Sequence, residues 1–271
     1  RQTTVVAITQ SGETADTLAG VRLAKRQGAK VLAICNVMGS SIAREAHAVL
    51  YTHAGPEIAV ASTKAYTAQV TALLLLTLAL AKARGRLKAQ AWKRLLTELG
   101  RLPELARQAL ATEQTVEAIA AKYARARNFY YLGRRYNYPS ALEGALKLKE
   151  ICPLIHAEGY AAGEMKHGPI SLIRQGWPVV FVAPRTPVSE KVVSNIEEVR
   201  ARRGDCLVVA SEGDDAITRY ADSLVRVPRT EELFSPVLVA IPLQLLAYHI
   251  AKANECDIDQ PPNLAKSVTV E

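Results

Sequence analysis

An alternation constrains this chain more than any other feature: short β-branched runs, each followed by a helical pattern, occur in two blocks separated by a long stretch with no strand. In the first block Thr3–Thr9 (TTVVAIT) has the composition of a buried parallel strand and leads into a helical pattern over Ala15–Gln27. Lys30–Cys35 (KVLAIC) predicts a second strand, Ser40–His47 a short helix and Val49–Thr52 a third strand; a turn from Gly55 then opens a long helix over Ser62–Ala83. Leu87–Arg127 is helical throughout, with breaks expected at Gly100 and Pro103. Alternation resumes with strands at Phe129–Leu132, Val179–Ala183, Cys206–Ala210 and Ser223–Val227 and helices opening at Ser140, Val188 and Ser235. Successive strands joined through helices pair in parallel, so the fold class is α/β, with two doubly wound parallel sheets in three αβα layers. The boundaries expected are a first domain at 1–87, a helical connector at 88–125, a second domain at 126–260 and a tail at 261–271.

Composition narrows the function. With 271 residues and 49% hydrophobic content the chain can bury two cores. The apolar run Ala72–Ala81 is shorter than a bilayer span and no secretory leader opens the sequence, so a cytoplasmic, non-membrane protein is expected. Cys35, Cys152, Cys206 and Cys256 are widely spaced in or beside apolar segments, a pattern of reduced core thiols rather than of a disulfide framework or zinc site. The net charge of +8 is dispersed along polar helix faces with little aromatic interleaving, which fits a small anionic ligand better than nucleic acid.

Two stretches carry chemistry. Pro139–Pro169 gathers Lys147, Glu150, His156, Glu158, Lys166 and His167. Its first half predicts a helix on which Glu143, Lys147 and Glu150 share a face, setting a base beside a cation; a solvated charged face is the competing reading. Its second half, with Gly159, Gly163, Gly168 and Pro169, reads as a loop. His156 and His167 are eleven residues apart with no HxxxH or CxxC pattern, so no metal is expected. The other stretch is Thr9-Gln10-Ser11-Gly12-Glu13-Thr14, a hydroxyl-rich turn between strand and helix. Its free N–H groups, helix dipole and the hydroxyls of Thr9, Ser11 and Thr14 suit a phosphate monoester, although Ser11 or Thr14 could equally be an ordinary helix cap. No Walker lysine follows it, which argues against a nucleoside triphosphate.

TQSGETADT (Thr9–Thr17), VASTKAYTAQ (Val60–Gln69), ALEGALKLKE (Ala141–Glu150), HAEGYAAGEMKHGP (His156–Pro169), SNIEEVRAR (Ser194–Arg202), PLQLLAYH (Pro242–His249) and DQPPNLAKSVTVE (Asp259–Glu271) closely resemble the isomerase half of the glutamine–fructose-6-phosphate aminotransferase family, built from sugar isomerase (SIS) domains. The resemblance covers essentially the whole chain. It implies binding of fructose 6-phosphate, with Thr9, Gln10, Ser11 and Thr14 holding the phosphate and Val60, Ser62 and Ala265 lining the sugar. It further implies Glu150 as the base between C1 and C2, Lys147 stabilising the enediol oxygens, His167 assisting ring opening and Lys266 acting at the open-chain carbonyl. The tail closes the sugar site, no cofactor is required, and the product is glucosamine 6-phosphate when a glutaminase domain, absent from this chain, supplies ammonia. A homodimer with shared sites is implied, as is a first SIS domain lacking its opening strand and helix.

Two departures from the family pattern stand out. Ile151–Ile155 is one residue longer, with Pro153 expected to end the helix, and Pro262 replaces a usual arginine. Another SIS isomerase or deglycase, or a non-catalytic sugar-phosphate sensor, is the alternative reading; turnover separates enzyme from sensor.

Overall fold

A computed structural model describes residues 3–262 and 264–266. The chain divides into two compact units, Arg1–Leu87 with Asn263–Glu271, and Lys88–Pro262.

The first unit contains β1 (Thr4–Ile8), α1 (Ala15–Arg26), β2 (Lys30–Cys35), α2 (Ser41–Glu45), β3 (Ala48–Tyr51) and α3 (Lys64–Ala83). The strands pair in parallel in the order β1-β2-β3. Ala7, Val31 and Ala33 meet Val21 of α1 and Ile42 of α2 in a small core. Along β1 only Ala7 is fully buried, and Val6 and Ile8 are exposed.

The second unit opens with α4 (Ala89–Leu110) and α5 (Glu113–Tyr123), then β4 (Asn128–Gly133), α6 (Asn137–Ile151), β5 (His156–Ala161), β6 (Pro178–Ala183), α7 (Ser189–Arg200), β7 (Asp205–Ser211), α8 (Asp215–Thr218), β8 (Ser223–Val227) and α9 (Ser235–Ala253). Its five strands are all parallel, in the order β5-β4-β6-β7-β8. One face packs Tyr130, Leu132, Val179, Phe181 and Val208 against Val192, Ile196 and Val199 of α7. α6 and α9 pack together, and α4 and α5 dock on α9. The helical stretch expected as a connector thus lies within the second unit, against its longest core helix.

Three local expectations are corrected. α4 runs unbroken through Gly100 and Pro103. Proline there removes one hydrogen bond to the Leu99 carbonyl, but Leu95, Glu98, Leu102, Leu105 and Ala109 form a buried stripe at three- and four-residue spacing across it, and that shared face keeps both halves in register. α6 begins at Asn137, three residues earlier than expected, with Pro139 in its first turn, where a missing N–H costs nothing. His156–Ala161, expected as loop, is the edge strand β5 paired along its length with β4. Gly159, read as a loop signal, is there because α6 crosses closely: a Cβ would sit 2.9 Å from the Leu142 backbone. α6 ends at Ile151, before Pro153 as expected.

Among the described residues, α3 and residues 232–253 are long and apolar enough to cross a bilayer by length and composition. The run Ala72–Ala81 lies inside α3. Most of residues 232–253 are buried, and α9 lies in the core of its unit.

Candidate active site

The first cluster lies on α6. Helical spacing puts Glu143, Lys147 and Glu150 on one face, and packing turns that face inward: the side chains are 8%, 4% and 23% exposed. The solvated-face reading therefore fails. The Lys147 ammonium is 2.6 Å from Glu150 Oε2 and 3.7 Å from Glu143 Oε1. The closer contact pairs charge but lies off hydrogen-bond direction, since Glu150 Oε2 has no hydrogen-bond partner among the described residues. Two carboxylates facing one ammonium in a dry environment cannot both ionise easily. Burial pushes the Glu143 carboxyl up to about 7, with the Glu150 charge adding to the rise while Lys147 and the Gln244 side chain oppose it. Near neutrality Glu143 is thus partly protonated, which leaves Lys147 paired chiefly with Glu150. Glu158 makes a half-exposed pair with Lys149 at 2.9 Å, outside this cluster.

His156 is exposed at the first position of β5, and His167 does not join the cluster. α6 runs antiparallel to its sheet, so Glu150 sits near the amino-terminal ends of β4 and β5, whereas exposed His167, in a single 3-10 turn over Met165–His167, follows the carboxyl end of β5. A six-residue strand separates the two ends by roughly 20 Å. Within one chain the two residues thus lie towards opposite ends of β5.

The second cluster lies at the carboxyl ends of β1 and β2, in the first unit. Thr9 Oγ1 accepts the Gly12 N–H at 3.0 Å, and Ser11 Oγ accepts the Glu13 N–H at 3.2 Å. Both hydroxyls are held as acceptors from the backbone, so their own protons remain to be donated. Thr14 occupies the N-cap of α1, yet its side chain makes no capping hydrogen bond, so the capping alternative fails for Thr14, and Ser11 braces the turn rather than the helix. Gly12 has φ +71°, and a Cβ there would collide with the Ser40 side chain and come within 3.0 Å of Cys35 Sγ. Only glycine lets the turn settle on α2. The Gln10 carbonyl accepts from Asn36 N–H at 3.2 Å, and the Asn36 side chain binds Thr52, Ala54 and Gly55, linking this turn to the loop leading to Ser62.

That loop has an organiser which the sequence did not reveal. Glu57, its side chain 4% exposed, accepts from Ser62 Oγ at 3.0 Å through Oε2 and from Thr63 N–H and Oγ1 at 2.7 and 3.1 Å through Oε1. Lys266 comes in from the tail: its Nζ donates to the Ala59 carbonyl at 2.7 Å and lies 3.9 Å from Glu57 Oε2. Val60 and Ser62 are half-buried beside these contacts, and Ala265 is exposed. The only sequence signal was a carboxylate just before a helix start in a proline turn, which is common. Among the described residues no group of three or more His, Cys, Asp or Glu side chains could hold a metal ion.

The SIS domain family pattern matches residues 1–79 and 122–252. Glutamine–fructose-6-phosphate aminotransferase (isomerizing) from Chlorobaculum tepidum is 53% identical over 267 residues, 98% of this chain and 43% of that protein. An enzyme of the same name from Thermus thermophilus is 53% identical over 270 residues, covering all of this chain and 44% of its own length. Among solved structures, the C-terminal domain of glucosamine-fructose-6-phosphate aminotransferase from Francisella tularensis superimposes with a TM-score of 0.90 at 40% identity, over 95% of this chain and 72% of that one. The chain thus spans less than half the length of the curated relatives it matches. It belongs to the SIS domain family, in the branch formed by the C-terminal domain of the glutamine–fructose-6-phosphate aminotransferases.

Proposed function

We propose that this chain binds fructose 6-phosphate and moves a proton between C1 and C2, as the isomerase part of an enzyme that makes glucosamine 6-phosphate. The observation that carries the reading is the buried Glu143–Lys147–Glu150 face of α6. A carbon-bound proton beside a carbonyl is weakly acidic, so its removal needs a positioned base and a cation for the developing enediolate. Glu150 is the base and Lys147 the cation.

The phosphate lies on the turn Thr9–Thr14, where the hydroxyls of Thr9, Ser11 and Thr14, Gln10 and the free N–H groups of the first turn of α1 face it. Val60, Ser62 and Ala265 line the sugar. Lys266, steadied by the Ala59 carbonyl and Glu57, forms a Schiff base with the open-chain carbonyl. Amine attack forms the C–N bond, and the carbonyl oxygen leaves as water. The span of β5 supports a homodimer in which His167 reaches the sugar of the neighbouring subunit and assists ring opening. Ammonia comes from a glutaminase domain, for which the relatives' greater length leaves room. Free thiols fit a reducing, cytoplasmic setting, and the chemistry needs no cofactor.

Glu150→Gln keeps the shape of the carboxylate and removes its basicity. Exchange of the C1 or C2 hydrogen of fructose 6-phosphate with solvent should fall by about 10²–10⁴-fold while binding in calorimetry persists. Exchange at the parental rate would remove Glu150 from the role. Binding without exchange in the unmodified protein would make the chain a sugar-phosphate sensor instead.

A further inference from the structure

The four cysteines are free, but they are not alike. Cys35 and Cys206 are buried among backbone carbonyls and, for Cys35, the Ser40 hydroxyl. Cys152 and Cys256, 104 residues apart in sequence, face each other with their sulfurs 3.5 Å apart.

The position of each is built. Cys152 caps α6, its N–H donating to the Leu148 carbonyl, two residues beyond Glu150. Cys256 follows α9 in a tight closing motif: its N–H donates to the Ala251 carbonyl and the Glu255 N–H to that of Lys252. Glu255 takes φ +55°, a left-handed conformation that glycine usually fills at this position. The Asn254 amide braces the turn on the carbonyls of Ala124 and Ile250. Cys256 is partly exposed and Cys152 buried. From Cys256 the chain runs on towards Lys266.

We propose that Cys152 and Cys256 are a modification site, closed to a reversible disulfide by hydrogen peroxide, and that closure slows proton transfer by drawing the last turn of α6 away from its working position. The covalent part stands on the geometry alone; its catalytic consequence rests on the isomerase reading above. The Cys256 thiolate attacks one peroxide oxygen, forming S–O as O–O breaks, and the displaced hydroxide takes a proton and leaves as water. The Cys152 sulfur then attacks the sulfenic sulfur, forming S–S as S–O breaks, and hydroxide departs with the Cys152 proton as a second water. Two thiols are oxidised and one peroxide is reduced. Burial, helped by the neighbouring thiol, pushes Cys152 up to about 12, so the order of attack begins at Cys256. A disulfide needs its sulfurs about 2.05 Å apart, so closure moves the end of α6 and the segment after α9 towards each other. Displacing a catalytic group by about 1 Å can cost on the order of 100-fold in rate.

The test treats the reduced protein with hydrogen peroxide, maps disulfide peptides by mass, and follows amide hydrogen exchange in the last turn of α6 and solvent exchange of fructose 6-phosphate hydrogens. A Cys152–Cys256 peptide, slower amide exchange at the end of α6 and a fall of about tenfold or more in substrate exchange, all reversed by dithiothreitol, are expected. Cys256→Ser should keep the parental substrate exchange and make it indifferent to peroxide. Thiol loss without that peptide overturns the site, and the peptide with unchanged substrate exchange overturns its consequence. A reduced parent that exchanges no substrate hydrogen counts against the isomerase reading, while the peptide map and amide exchange still decide the disulfide.

Discussion

The two units repeat one plan and differ in how completely they bury it. All six residues of β6 and six of seven in β7 are buried, as a parallel sheet covered on both faces requires. In β1 one residue of five is buried, and the core above β1 and β2 rests on five residues. Yet the less buried sheet carries the hydroxyl-rich turn and the Glu57–Lys266 assembly, while the more buried unit holds the ionisable face of α6. The dry helix face is where burial pushes the Glu143 carboxyl up.

The comparison breaks if the second unit is not the more sensitive to truncation. Phe181→Ala removes a fully buried ring and should cost about 3–5 kcal/mol by denaturant unfolding. A loss close to that of a surface change would mean that its sheet is not the stabilising core.

Glu143 sharpens the electrostatic side. Its carboxyl titrates near 7 in the fold against 4.5 unfolded, so the native state binds more protons between these values and stability falls as pH rises through that window. The ionised cost is on the order of 3 kcal/mol. Glu143→Gln should flatten the fall in stability from pH 4.5 to 7, and thermal melts across that range check it; an unchanged slope would assign the dependence to other groups.

The binding side is tested by ligand. Fructose 6-phosphate at about a hundred times its Kd should add about 2.7 kcal/mol of stability. Amide exchange should slow at Thr9–Thr14 more than in β6 or β7, and uniform protection would dissolve the contrast. The smallest effect belongs to Ile8, 44% exposed on β1. Ile8→Ala should cost about 1 kcal/mol, and a loss matching Phe181→Ala would show β1 to be covered more fully than its exposure implies.

Much of this was legible in the residues. β-branched runs such as TTVVAIT and KVLAIC mark strands because branched side chains suit a pleated buried surface, and the helices between them force parallel pairing. Offsets of four and three placed Glu143, Lys147 and Glu150 together, because helix geometry is local. Tertiary structure decided the rest. Whether that face is wet or dry depends on what packs over it, and so does the rise of the Glu143 carboxyl. β5 exists because β4 lies beside it, and α4 passes Pro103 because one apolar stripe spans it. Glu57 gains its meaning from Ser62, Thr63 and a lysine in the distant tail, and Cys152 from a thiol 104 residues on. Periodicity and propensity are properties of neighbours along the chain; desolvation, pairing and thiol proximity depend on neighbours in space, which only the folded chain brings together.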